Sequence, residues 1–174
     1  LKKIKNLPVI IAEVGVNFDG SKKIINRMIK KISQTGADYI KFQLYDTDEM
    51  CIKNAPSADY QKKIKISQYK MLKKYEINHD KLNFIIEKSK EYKNKPIFSV
   101  FDLKSLSILK KIKVQIIKIP SGEIDNYPLL KEISKLNVKV IISSGMSSIS
   151  EIKNALKILT NYKLKKKKYL LTPL

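Results

Sequence analysis

Two lysines lie within apolar segments of this sequence, where a positive charge needs compensation. Lys41 and Lys118 each have an isoleucine before them and an apolar residue after them. A buried ammonium group either finds an anionic partner or has its pKa lowered. Most lysines of this lysine-rich chain are expected at the surface, so these two are the best candidates for binding an anionic ligand. The alternative is that each forms a structural salt bridge.

Hydroxyl and carboxylate side chains close other apolar segments. Ser99, Ser121 and Ser143, together with backbone N–H groups, can hold the oxygens of a phosphate or carboxylate whose charge the lysines neutralise. Glu13 and Glu123 can transfer protons, bind a metal ion or accept hydrogen bonds from sugar hydroxyls. They can equally pair with the two lysines in a buried structural network. Sequence spacing alone does not decide between these roles.

Composition narrows the class of protein. The 174 residues, 43% of them hydrophobic, are enough for one domain with a core. No segment reaches the ~18–20 apolar residues of a membrane span. The single cysteine, Cys51, excludes an internal disulfide. The net charge is +20, but Arg27 is the only arginine, whereas nucleic-acid surfaces favour arginine. We therefore predict a cytoplasmic protein with a solvated lysine-rich surface and no nucleic-acid or membrane partner.

The hydrophobic period alternates between strand-like and helix-like segments. Predicted strands cover 9–12, 39–42, 96–100, 115–119, 138–142 and 169–171. Predicted helices cover 22–34, 68–74, 78 or 80 to about 92, 105–111, 128–135 and 148 or 150 to 159, and 46–65 is predicted to be a long polar connection. This alternation implies parallel βαβ units, in either an open doubly wound sheet or a (β/α)8 barrel. Only one glycine, Gly15, follows the first strand, which disfavours a Rossmann dinucleotide site.

Polar side chains collect where the predicted strands end, which is where both folds carry their chemistry. These residues are Glu13 and Asn17, Lys41 and Gln43, Ser99 and Asp102, Lys118, Ser121 and Glu123, and Ser143 and Ser144. We expect the cationic and hydroxyl side chains among them to converge on a single mouth that binds a doubly anionic three-carbon compound.

Six segments of the chain resemble signatures of the N-acetylneuraminate (sialic acid) synthase family, in the family's order and spacing. They cover 10–17, 36–43, 99–102, 118–124, 126–130 and 143–146. The resemblance runs from residue 9 to about residue 160 and implies a TIM-type (β/α)8 barrel followed by a small antifreeze-like C-terminal domain. Phe18 stands where the family commonly has histidine, Val100 where proline is common, and Ser99 where threonine is usual.

The resemblance also implies roles for individual residues. The family's phosphoenolpyruvate-binding positions fall on Lys41, Ser99, Lys118, Ser121 and Ser143. Gln43 falls on a position that contacts the sugar. Glu13 matches a glutamate that acts as a base or positions water, and Glu123 matches an acidic position near the reacting centre. We therefore expect these two carboxylates to be catalytic.

The reaction implied by the resemblance is the condensation of phosphoenolpyruvate with an N-acetylated amino sugar, such as N-acetylmannosamine. The product is a nonulosonic acid, and phosphate is released. Mn²⁺ or Mg²⁺ would polarise the sugar aldehyde, but the family's two metal-binding histidines lie on strands beyond residue 174. The single histidine, His79, matches neither and is expected at the surface. Members of the family are usually homodimers.

The length of the chain suggests an incomplete barrel. A (β/α)8 barrel needs about 250 residues, and this sequence ends in the predicted sixth strand. We expect residues 1–174 to be the first five to six βα units of a barrel, without the rest of the barrel or the C-terminal domain, and to be inactive alone. The alternatives are another phosphoenolpyruvate-dependent aldol-type synthase, a non-catalytic remnant and a basic binding module.

Overall fold

The computed structural model describes residues 8–53, 67–145, 147–161 and 168–171. The chain divides into two compact units. The first comprises 1–42 and 77–96, and the second comprises 43–76 and 97–174. Much of the predicted connection 46–65 and the whole of 162–167 lie outside the described residues.

Strands and helices alternate along the chain, as the sequence predicts. The strands are β1 (Ile11–Glu13), β2 (Tyr39–Leu44), β3 (Pro96–Val100), β4 (Ile116–Ile119), β5 (Lys139–Ser143) and β6 (Lys168–Leu171). The helices are α1 (Lys22–Ile32), α2 (Thr47–Met50), α3 (Gln68–Tyr75), α4 (His79–Glu91), α5 (Leu103–Lys111), α6 (Tyr127–Ser134) and α7 (Ile149–Asn161). A 3₁₀ helix, Ser121–Glu123, follows β4.

The first unit contains the parallel strands β1 and β2 and the helices α1 and α4. The two helices pack on each other. Helix α1 begins because the Ser21 hydroxyl accepts a hydrogen bond from the Ile24 amide at 3.4 Å. The chain turns at Gly36, whose φ of +79° favours glycine. The Lys22 ammonium lies 2.6 Å from the Asp80 carboxylate, so an ion pair joins the first turns of the two helices.

In the second unit, β3, β4, β5 and β6 pair in parallel and in chain order. Helix α6 packs against both α5 and α7. Leu109, Leu129 and Ile133 are fully buried, and so are Ile117 and Ile119 on β4. Parallel strands buried in this way form near-continuous apolar runs, and a lysine between two buried isoleucines is therefore exceptional.

Most element boundaries differ from the predictions by one or two residues, and three differences bear on local structure. Strand β1 begins two residues late, and Val9 and Ile10 are 65% and 55% exposed. Helix α5 begins two residues early because Asp102 supplies its N-cap. The prediction of a polar connection from residue 46 is wrong at its start, because Asp46 accepts a hydrogen bond from the Asp48 amide and caps the short helix α2.

Asp102 also joins two loops that follow different strands. Its Oδ1 accepts the Ser105 amide at 2.6 Å, and its Oδ2 accepts the Ser105 hydroxyl at 2.8 Å. The same Oδ2 accepts the Asp46 backbone N–H at 2.9 Å. Asp102 is only 6% exposed. A buried carboxylate with three donors is satisfied by the protein itself, so its role is structural.

Replacing Asp102 by alanine should destabilise the chain more than removal of an ordinary helix cap. Asp102→Ala removes the cap and leaves the Asp46 amide without this acceptor, so we expect a loss of about 2–4 kcal/mol in the free energy of unfolding. Urea denaturation measures this loss. Ser21→Ala removes only the cap of α1 and should cost about 1 kcal/mol. Equal losses in the free energy of unfolding for the two variants would contradict the role of Asp102 in joining the two loops.

Candidate active site

A lysine and a glutamate form an ion pair in the first unit. The register of the parallel strands places Glu13 on β1 beside Lys41 on β2. The Lys41 ammonium lies 2.6 Å from Oε1 of Glu13. Lys41 is 8% exposed, whereas the Glu13 side chain is 54% exposed. The structural alternative therefore holds in part, because the two residues do pair, but the carboxylate reaches solvent and is not part of a buried network.

A second lysine lies beside a buried hydroxyl in the second unit. The register of β3 and β4 pairs Ser99 with Lys118. Register partners on parallel strands project from the same face of the sheet. Ser99 is 1% exposed and Lys118 is half-buried. The strand register thus places Lys118 and Ser99 side by side on one face, with the serine shielded from solvent.

The next strand adds a further hydroxyl to this face. Lys118 pairs with Ile141 on β5, and Ser143 follows Ile141 by two residues. Because side chains alternate along a strand, Ser143 projects from the same face as Lys118. Ser143 is half-buried at the last position of β5. Ser99, Lys118 and Ser143 are therefore brought together on one face near the carboxyl ends of their strands, and we call these three residues the strand-end set.

The turn after β4 carries the next two predicted site residues. Ser121 and Glu123 begin and end the 3₁₀ helix, and both are half-buried. The Glu123 amide donates to the Pro120 carbonyl at 3.0 Å, which closes the turn. Gln43 is half-buried on β2, one residue before that strand ends.

The protein environment alters the acidity of Glu123. Burial raises the pKa of its carboxyl group, and the negative charges of Asp125 and Asp102 raise the pKa further. A hydrogen bond from the Asn126 side-chain amide to Oε2, at 2.8 Å, opposes this rise. A glutamate with a raised pKa holds a proton at a higher pH than an exposed one, which suits general acid–base chemistry.

Asn126 is a residue of this site that sequence reasoning did not single out. An asparagine just before a helix indicates an N-cap, and Asn126 does cap α6 through the Leu129 amide at 3.2 Å. Its second contact, to Glu123, could have been suspected from the spacing of three residues across a tight turn. A contact between residues this close in sequence can be inferred from the sequence, whereas Asp102 and Asp46 lie 56 residues apart.

Within 8–53, 67–145 and 147–161, no cluster of three or more histidine, cysteine, aspartate or glutamate side chains can hold a metal ion. His79 is exposed at the first position of α4, and its Nδ1 lies 3.2 Å from the Asn83 amide. None of the helices in the described ranges is long and apolar enough to cross a bilayer.

Comparison with known proteins gives a consistent set of relatives. The model of the NeuB family matches residues 28–172. The chain is 38% identical, over 154 residues, to N,N'-diacetyllegionaminic acid synthase of Campylobacter jejuni, covering 87% of this chain and 46% of the relative. It is 29% identical, over 151 residues, to N-acetylneuraminate-9-phosphate synthase of Homo sapiens, covering 86% of this chain and 42% of the relative. The chain thus spans a little under half the length of these relatives.

Solved structures show the same fold. N-acetylneuraminic acid (sialic acid) synthetase from Leptospira borgpetersenii, crystallised with citrate, matches 96% of this chain with a TM-score of 0.82 and 32% identity. This chain covers 54% of that structure. A DAHP synthase from Thermotoga maritima matches 94% of the chain with a TM-score of 0.66 and 15% identity, which is a likeness of fold alone. The predicted fold class, a (β/α) barrel of which the chain forms a part, is confirmed.

The pH dependence of stability tests the environment of Glu123. A raised folded-state pKa contributes stability below the unfolded-state pKa, and this contribution is lost as the pH rises through the folded-state pKa. Glu123→Gln removes the titration. The free energy of unfolding of this variant relative to the natural chain should therefore increase as the pH rises above the ordinary glutamate pKa of about 4.3. Urea denaturation at a series of pH values measures this trend.

Glu151→Gln is a matched control of opposite sign. Hydrogen bonds from the Ser148 amide and hydroxyl lower the pKa of Glu151, so its contribution to stability is present above the unfolded-state pKa and is lost as the pH falls. The stability of this variant relative to the natural chain should therefore decrease as the pH rises. Parallel trends for the two variants would show that Glu123 does not titrate as described.

Proposed function

The chain belongs to the NeuB family, and we propose that it supplies phosphoenolpyruvate-binding strands to an enzyme that condenses this compound with an N-acetylated amino sugar. The observation that carries the proposal is the strand-end set, in which the Ser99–Lys118 register and the alternation of β5 place an ammonium and two hydroxyls on one face. Relatives named as legionaminic and N-acetylneuraminate-9-phosphate synthases support a nonulosonic acid as the product.

The strand-end set matches the chemistry of phosphoenolpyruvate. This compound presents a phosphate and a carboxylate, and an ammonium group compensates such charge while hydroxyls fix the positions of the oxygens. Burial of Ser99 strengthens a hydrogen bond from its hydroxyl to the ligand. Ser121, in the turn after β4, adds a hydroxyl that the family resemblance also assigns to phosphoenolpyruvate. Lys41 and Gln43 remain predicted ligands, of phosphoenolpyruvate and the sugar respectively.

The proposed reaction begins with attack of carbon 3 of phosphoenolpyruvate on the sugar aldehyde, which forms the new carbon–carbon bond. Water then adds to the cationic carbon 2 and gives up a proton to a carboxylate. Glu13, which the neighbouring Lys41 holds at 2.6 Å, is proposed as that base. The aldehyde oxygen takes up a proton and becomes a hydroxyl. The tetrahedral intermediate then collapses: the bond between carbon 2 and the phosphate oxygen breaks, the carbon 2 hydroxyl becomes the ketone, and its proton leaves with the phosphate. Glu123, with its raised pKa, is suited to supply a proton near the reacting centre.

A divalent metal, Mn²⁺ or Mg²⁺, is proposed for the whole enzyme on the family resemblance alone. The part of the chain that the structure describes does not fit such an ion, because it contains no cluster of three suitable side chains. No step above therefore depends on a metal held by these residues. A homodimeric assembly of the whole enzyme is a further proposal from the resemblance.

Removing the charge of Lys118 should weaken phosphoenolpyruvate binding. Lys118→Met keeps the length of the side chain but removes the ammonium that compensates the ligand's charge, so we expect an affinity at least about tenfold lower. Titration calorimetry of the 174-residue chain measures this affinity. Lys139→Met is the matched control, because Lys139 is exposed at the opposite end of the neighbouring strand β5. Equal losses in both variants would indicate nonspecific charge attraction and would contradict the proposed site.

The sugar substrate requires a separate assay. Release of phosphate from phosphoenolpyruvate should depend on an N-acetylated hexosamine when the whole enzyme is supplied with Mn²⁺ or Mg²⁺. If phosphate release occurs only with acceptors that lack the N-acetyl group, another phosphoenolpyruvate-dependent aldol-type synthase is the better assignment. If the enzyme consumes no phosphoenolpyruvate with any acceptor aldehyde, the proposed reaction is wrong.

A further inference from the structure

One side chain joins the start of helix α6 to the carboxylate of Glu123. The Asn126 side-chain carbonyl accepts the Leu129 amide at 3.2 Å and so caps the helix. The N–H group of the same side chain donates to Oε2 of Glu123 at 2.8 Å. Both ends of a single carboxamide are therefore occupied, one by the helix and one by the candidate catalytic acid. A cap alone needs only the first contact.

The backbone around this contact is held by consecutive hydrogen bonds. The Glu123 amide donates to the Pro120 carbonyl at 3.0 Å, and the Asn126 amide donates to the Glu123 carbonyl at 3.2 Å. The Tyr127 amide donates to the Asp125 carbonyl at 2.8 Å. Because the backbone of the turn is fixed in this way, the remaining freedom of Glu123 lies in its side-chain torsions, which the Asn126 amide restricts.

We propose that Asn126 is a positioning residue that holds the Glu123 carboxylate in place for proton transfer in the reaction proposed above. The donor occupies Oε2, while in the described part of the chain no protein group donates a hydrogen bond to Oε1. Oε1 is the oxygen that exchanges a proton with a substrate or with water. This inference deepens the proposed function and rests on it for the role of Glu123.

Negative charges near Glu123 oppose its ionisation, and a neutral hydrogen-bond donor counteracts them. Burial raises the pKa of Glu123 most, and the negative charges of Asp125 and Asp102 raise this pKa further. The Asn126 amide is the interaction that favours the ionised form. A group that both gives and takes a proton must be able to reach both states. An aspartate at position 126 would still cap the helix, but it would lack the donor and add a third negative charge.

Two variants separate positioning from capping. In Asn126→Asp the cap remains, and the pKa of Glu123 should rise by about one pH unit, a tenfold change in proton affinity. Asn126→Ser keeps a capping hydroxyl without adding charge, and the pKa should rise by a smaller amount because the donor to Oε2 is lost. The carboxyl carbon resonance of Glu123, followed by NMR across a pH titration of the 174-residue chain, measures both changes.

Asn78 provides the matched control. It caps α4 through the Lys81 amide at 2.9 Å, the same arrangement without a glutamate three residues before it. Asn78→Asp should leave the Glu123 resonance and its titration unchanged. If Asn126→Asp and Asn126→Ser also leave the titration unchanged, or if Asn78→Asp shifts it equally, the positioning role is wrong and Asn126 is only a cap.

Turnover provides the second readout. In the phosphate-release assay, Asn126→Ser should lower kcat about tenfold and leave KM for phosphoenolpyruvate nearly unchanged. In a Glu123→Gln background the same substitution should have no further effect on kcat, because its target is gone. A full additional loss in that background would overturn the inference. If the natural enzyme releases no phosphate at all, the proposed function fails, and the NMR titration still decides whether Asn126 controls Glu123.

Discussion

A lysine ammonium can lie among apolar strand residues only if a neighbouring group compensates its charge, and this constraint shapes both units of the chain. In the first unit the register of β1 and β2 brings Glu13 to Lys41, which is almost fully buried. In the second unit the register of β3 and β4 brings the Ser99 hydroxyl to Lys118. An anionic ligand at this position would add charge compensation for the Lys118 ammonium.

Asp102 and Glu123 in the second unit differ in the number of hydrogen bonds that their carboxylates accept. This difference distinguishes a structural carboxylate from one that can transfer a proton. Asp102 accepts three hydrogen bonds from the protein and fixes the loops that follow β2 and β3. Within the residues that the structure describes, Glu123 accepts one, from Asn126, and burial raises its pKa. A carboxylate whose lone pairs are satisfied stabilises the fold. A carboxylate with a raised pKa, one of whose oxygens accepts no hydrogen bond from the described part of the chain, can transfer a proton. The proposed mechanism assigns these two roles accordingly.

The sequence predicted much of this arrangement because its signals are local. The apolar spacing of α1 and the position of Lys118 between isoleucines can both be read within a few residues. Helix α2 was missed because a helix of four residues is too short to show a hydrophobic periodicity. The brace from Asp102 to Asp46 was missed because it joins residues 56 positions apart, and only the fold brings them together. Asn126 was not predicted as a site residue because an asparagine before a helix indicates only an N-cap, not the additional contact with Glu123.

In the proposed function, the strand-end set of Ser99, Lys118 and Ser143 receives the phosphate and carboxylate of phosphoenolpyruvate. The most direct measurement is a crystal structure of the protein grown with phosphoenolpyruvate. We expect ligand density within hydrogen-bond distance of the Lys118 ammonium and of the Ser99 and Ser143 hydroxyls, that is, about 2.7–3.2 Å. Ligand bound elsewhere, or a strand-end set that holds only water at saturating phosphoenolpyruvate, would contradict the assignment of these residues to phosphoenolpyruvate binding.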